Sequence, residues 1–144
     1  MTVSGAFFGA SSAVFFALAF CAGMLPERAR AQDPCRIPET GHWVNPSART
    51  QQIRRIEIES HCEGGRVVAR MRAFTKCSPR DCKWGWTQVY RTANGRLFGR
   101  FAGFFGSREI QVIPMGNRIE ALVTIDPHDP REPDSFHAAI LSRE

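Results

Sequence analysis

The run Cys77-Ser-Pro-Arg-Asp-Cys82-Lys-Trp84-Gly-Trp86 holds the residues of this chain with the most specific chemistry. Two cysteines five positions apart bracket Pro79 and Asp81, both turn formers, so oxidation would staple a tight turn. Beyond the turn, Trp84, Trp86, Gln88 and Tyr90 recur at every second position. On a strand, that spacing sets them on one face. Three aromatic rings with an amide among them could stack on a sugar or an apolar ligand, with Gln88 supplying a hydrogen bond. Packing in the core is the competing use for the same rings.

Other pairings offer less. His61 beside Cys62 has the composition of a nucleophile and its base, but neighbours on a strand point to opposite faces. His128 with Asp126, Asp129 and Asp134 could hold a metal, yet Pro127, Pro130 and Pro133 fit a rigid turn better. C-x4-C without a second matching pair is a poor zinc pattern, so no metal is assigned. Glu57 with Glu59, or Glu120 with Asp126, could act as acid and base, but carboxylates on a strand face are ordinary. The chain contains no G-x-S-x-G, no phosphate-cradling glycine loop and no H-E-x-x-H. These absences leave the sequence with no catalytic residues and no cofactor to assign, so an envelope-acting hydrolase ranks behind a binding function.

These residues follow an apolar N-terminus. Residues 1–26 carry no charge, and Ala29-Arg30-Ala31 offers an A-x-A cleavage site. Residues 1–31 read as a signal peptide for a secreted or periplasmic protein; the alternative is a membrane anchor formed by residues 6–25. Cleavage would remove Cys21 and leave Cys35, Cys62, Cys77 and Cys82. An even number in an exported chain points to two disulfides, with three possible connectivities. Cys77–Cys82 across the short turn is favoured, with Cys35–Cys62 as its complement. The formal net charge is +5. The arginines are scattered rather than clustered with aromatics, which argues against nucleic acid and leaves weak attraction to an anionic envelope.

Residues 32–41 form an extended lead-in, and residues 42–144 a single domain. Alternating apolar and polar positions predict eight strands there, at His42–Asn45, Ile53–Glu59, Arg66–Phe74, Trp84–Arg91, Arg96–Phe105, Arg108–Ile113, Arg118–Asp126 and Ser135–Ser142. Asn94-Gly95 is a hairpin signal, and Gly106-Ser107 a second turn. On the third strand Val67, Ala69, Met71 and Ala73 share one face, with Arg70 and Arg72 on the other. Eight short antiparallel strands must hide their edges, and an up-and-down barrel does so; an open β-sandwich is the alternative. A barrel of this size is filled by side chains or holds one small ligand, here near Ile58, Met71 and Phe101.

Gly41-His42-Trp43-Val44-Asn45 opens the first strand with G-x-W, which resembles the start of calycin-type barrels, the lipocalins and avidins. The resemblance implies that Trp43 closes one end of the barrel. It implies that a late arginine, here Arg143, packs over that ring. From the avidins, it implies that Asn45 lines a ligand pocket. Most of the domain is also similar to uncharacterised secreted bacterial proteins that share W-x-N, R-I-x-I and C-x-P-x-D-C-x-W-G. Here these are Trp43-x-Asn45, Arg55-Ile56-x-Ile58 and Cys77-x-Pro79-x-Asp81-Cys82-x-Trp84-Gly85. That likeness implies a common small β-domain and carries no activity with it.

Overall fold

Eight antiparallel strands follow one another around a closed barrel, each bonded to the next and the last to the first. They are β1 (Gly41–Val44), β2 (Ile53–Glu63), β3 (Arg66–Thr75), β4 (Cys82–Arg91), β5 (Leu97–Ala102), β6 (Gly106–Met115), β7 (Arg118–Pro127) and β8 (Ser135–Arg143). The structure, a computed structural model, describes residues 33–144. The apolar segment 6–25, Cys21 and the cleavage site after Ala31 lie outside the described residues. Among the described residues no helix is long and apolar enough to cross a membrane.

Alternation sorts the side chains as a half-buried strand requires. Ile56, Ile58, Ala69, Met71, Ala73, Val89, Leu97, Phe101, Ile110, Val112, Ile119, Ala121, Val123 and Leu141 form one buried cluster. The interior is therefore filled around Ile58, Met71 and Phe101, at 1%, 0% and 6% exposure, where an internal ligand was one expectation. Gly99 marks how tight this filling is: a Cβ there would lie 2.8 Å from Val89 Cγ1 and 3.3 Å from Thr87 Cγ2.

Two expectations about the strands need correction. The β5–β6 turn is residues 103–105, not Gly106-Ser107: Gly103 N donates to Gly106 O at 2.9 Å, and pairing resumes at Ala102↔Ser107. Phe105, expected in register within the fifth strand, thus stands on the turn. Val67 does not join Ala69, Met71 and Ala73 inside. The β2–β3 hairpin runs past the level where β3–β4 pairing stops, at Ala69↔Val89, and Val67 is exposed.

The two ends of the barrel differ. At one end the lead-in is strapped across Trp43. Both disulfides form, with Cys35–Cys62 tying the lead-in to β2 at this end and Cys77–Cys82 closing the β3–β4 turn at the other. The buried Trp43 donates Nε1–H to Glu39 O at 2.8 Å. Arg143 lies over its ring at 4.2 Å and donates to Thr40 O at 2.8 Å and Pro38 O at 3.0 Å. Gly41 makes room for this: a Cβ there would lie 2.5 Å from an Arg143 Nη1, and its φ of +144° suits glycine. Glu39, 1% exposed, receives both Arg91 Nη groups at 2.8 and 2.9 Å. Burial pushes its carboxyl up, but the Arg91 hydrogen bonds and charge outweigh this and hold it below the usual carboxylate value.

Candidate functional site

The expected face of Trp84, Trp86, Gln88 and Tyr90 is divided in two. β3 and β4 slip in register between Arg72↔Trp86 and Phe74↔Lys83, so Trp84 and Gly85 oppose Ala73 alone. Gly85, at φ +80°, carries this bulge. The bulge resets alternation: Trp84 packs against the core, while Thr87 and Val89 continue the inner side. Trp86, Gln88 and Tyr90 share the outer face. A glycine between two tryptophans in a strand pattern was the available signal for the break.

Arginines build the outer wall around Trp86. The Arg70 and Arg72 guanidinium carbons lie 4.5 and 4.7 Å over its ring. Arg70 Nη2 meets Glu59 Oε2 at 2.7 Å. Arg72 Nε meets Glu57 Oε2, and Arg55 Nε lies 3.1 Å from Glu57 Oε1. Arg70 and Arg72 are thus outward, as alternation predicts. Glu57 departs from an ordinary exposed carboxylate: the two guanidinium groups cover it to 4% exposure. Arg55 and Arg72 also lie over Phe74, at 4.1 and 5.4 Å, so an outward aromatic is buried too. With each carboxylate committed to an arginine, neither Glu57 nor Glu59 is placed as a free acid or base.

Two clefts meet beside this wall. The larger, about 610 Å³, opens where β3 and β4 diverge beyond Ala69↔Val89. Ile37, Val68, Ala69, Val89 and Leu97 make its apolar lining, and Gln88 and Tyr90 stand at it. Tyr90 is 60% exposed and leans on Phe98 with centroids 5.1 Å apart. The smaller, about 240 Å³, is lined by Trp86, Gln88, Arg70 and His61, and shares Val68, Ala69 and Gln88 with the first. The structure therefore brings Trp86, Gln88 and Tyr90 to one continuous surface and removes Trp84 from it. The residues that complete the surface, Ile37 and Val68, had no local signal, and the core residues Ala69, Val89 and Leu97 form its floor. They meet only through the lead-in and the divergence of two hairpins.

Asn45 does not join them. Its Nδ2 donates to Ile53 O at 3.4 Å and its Oδ1 accepts from Ser47 N at 3.1 Å, so its amide shapes the β1–β2 loop. Cys62 is in a disulfide and cannot act as a nucleophile with the exposed His61. The 128–134 loop is a built turn, with Arg131 bidentate on Asp129 and His128 N bonded to Phe105 O at 3.0 Å. Among the described residues no three His, Cys, Asp or Glu side chains are grouped to hold a metal.

Among the described residues, half-buried His137 has a buried ring nitrogen with no partner. His137 lies directly opposite Val123 on the inner side of β8, and its Nε2 has no hydrogen bond. Burial lowers its pKa from the ordinary 6.5. The unfolded chain then takes up this proton more readily than the native one, so stability is full above 6.5. It falls as the pH drops through 6.5 towards the native value. Urea midpoints measured across that range should show this loss in the wild type and lose that component in His137→Leu; an unchanged slope in the variant would assign it elsewhere.

The chain matches no protein-family model, no curated protein and no solved structure. The two disulfides place the folded domain in an oxidising compartment.

Proposed function

We propose that this protein is a secreted or periplasmic binding module that takes a small apolar or sugar-like ligand on the outer wall of its barrel, against Trp86, Gln88 and Tyr90. The reading rests on one observation. Where β3 and β4 diverge, a cleft of about 610 Å³ with an apolar lining sits beside the exposed Tyr90 and the Gln88 amide. Its volume is that of ordinary small-molecule sites, which pair an apolar lining with a few polar groups. The neighbouring guanidinium groups are engaged with Glu57, Glu59 and Glu39, which favours a neutral ligand. Export rests on the N-terminal apolar segment and agrees with the disulfides. The G-x-W start and the packing of Arg143 on Trp43 support a calycin-like ancestry for the scaffold.

A second reading is a structural protein associated with the anionic envelope. The filled interior favours it, because Ile58, Met71 and Phe101 are buried at its centre. Native mass spectrometry of protein exported from its host separates the two. The binding reading expects extra mass on the wild type and none on Trp86→Ala/Tyr90→Ala, with the variant still folded by near-ultraviolet circular dichroism. A folded variant that keeps the mass overturns the outer-wall site. A bare wild type that fractionates with the envelope favours the structural reading.

A further inference from the structure

A second site lies at the other end of the barrel, and it has the opposite chemistry. Phe101↔Arg108 and Arg108↔Ile125 are directly opposed across β5, β6 and β7, so the three share the inner side of the wall. Phe101 is buried and Ile125 packs against the core, so Arg108 brings a charge to the rim of the interior beside apolar neighbours. Its guanidinium carbon lies 4.8 Å over the ring of Trp84, which stands edge-on to Phe101 at 5.4 Å. Stacking of this kind fixes the plane of a guanidinium and leaves its edge N–H groups to meet a ligand. Arg108 makes no ion pair and no side-chain hydrogen bond among the described residues. In that it differs from Arg70, Arg72, Arg91 and Arg131, each paired with a carboxylate.

The space beside Arg108 is shaped. A cleft of about 300 Å³ runs between the β5–β6 turn and the β7–β8 loop, lined by Phe104, Phe105, Ser107, Arg108, Ile125 and Glu132. Phe104 and Phe105 are 89% and 85% exposed and pack edge to face at 5.0 Å. Two exposed phenyl rings at one turn are unusual unless something covers them. Their backbone is pinned: Phe105 O accepts from His128 N, and Phe104 O lies 3.1 Å from His128 Nδ1. Pinning lowers the ordering cost that a ligand would otherwise bear.

We propose that this cleft binds a small monocarboxylate with an aromatic or aliphatic body, its carboxylate on the Arg108 edge and its body against Phe104, Phe105 and Ile125. A guanidinium prefers a carboxylate in bidentate geometry, and the hydrogen bonds are charge-assisted. Glu132 on the same cleft repels a second negative charge, which selects a monoanion over a phosphate dianion. The carboxylate could belong to a free acid or to the C-terminus of a peptide.

Titration of the full domain by calorimetry and by ¹⁵N NMR tests the site, with the indole N–H of Trp84, near Thr75 Oγ1 at 3.4 Å, as a local reporter. The probes are 3-phenylpropionate, its amide, phenyl phosphate, and a tripeptide ending in phenylalanine with a free or amidated C-terminus. The acid should bind at least tenfold tighter than the amide, the span of one charge-assisted hydrogen bond, and should shift the Trp84 resonance. Arg108→Gln should remove that preference and Arg108→Lys should restore only part of it. Glu132→Gln should narrow the gap between acid and phosphate. Tighter binding of the free-ended tripeptide than of phenylpropionate would name a peptide terminus as the source; the reverse would name a free acid. Equal affinity for acid and amide, or an unchanged affinity in a folded Arg108→Gln, overturns the proposal. Phe104→Ala, far from the core, guards against misfolding: it should weaken the acid and amide alike.

Discussion

Trp43→Ala is expected to destabilise the domain by about 4 kcal/mol, the middle of the range for truncating a large buried aromatic. The ring is 1% exposed. Its removal would leave more than a cavity. Glu39 O would lose its buried partner, and an unsatisfied buried carbonyl costs about 1–3 kcal/mol. Arg143 would lose the surface on which it rests while holding Thr40 and Pro38. Small domains have about 5–15 kcal/mol in all, so this one substitution would consume much of the total. Urea midpoints at constant slope measure it, and Trp43→Phe separates the ring from the N–H. The phenylalanine variant should keep most of the packing and cost about 2 kcal/mol. An alanine variant as stable as the wild type would mean that the Trp43 end is not part of the cooperative unit.

Alternation made the strands legible because each has one wet and one dry side. Ile56 and Ile58 against Glu57 and Glu59, or Ile119, Ala121 and Val123 against Glu120 and Thr124, leave little choice of face. The barrel follows from this alternation, and both disulfides follow from the even cysteine count and the short turn between Cys77 and Cys82. What the sequence hid are the places where tertiary contacts override local pattern. Gly85 turns the strand over between two tryptophans, so Trp84 and Trp86 serve different sites. Glu57 looks like an exposed acid until Arg55 and Arg72 fold over it. Glu39 and Arg91 are 52 residues apart, and nothing near either announces the pair. The outer cleft exists because the β2–β3 hairpin outruns its pairing with β4, a matter of strand length and divergence that periodicity does not record. Arg108, by contrast, alternates plainly with Ile110 and Val112, and only its stacking on Trp84 depends on tertiary contact.

Removing the Cys35–Cys62 bond, as Cys35→Ser/Cys62→Ser, is expected to cost about 3.5 kcal/mol, against about 2 kcal/mol for Cys77→Ser/Cys82→Ser. The cysteines are 27 residues apart in the first pair and 5 in the second, so the first removes more freedom from the unfolded chain. The longer bond also fixes the lead-in. Ile37 N donates to Ser60 Oγ at 3.1 Å, and Glu39 reaches Arg91 from the same segment. Freed from Cys62, that segment should hold Trp43 less firmly. The Cys35/Cys62 change and Trp43→Ala should therefore cost less together than the sum of their separate effects, whereas Cys77/Cys82 and Trp43→Ala, at opposite ends, should add. A urea series on the variants, with a reduced wild type alongside, checks all of this. Reduction of both bonds should remove roughly 5.5 kcal/mol, comparable to the whole stability of many small domains. On that arithmetic reduction is expected to lower the midpoint sharply and to weaken the barrel that carries both clefts. A reduced wild type with an unchanged midpoint would overturn that expectation.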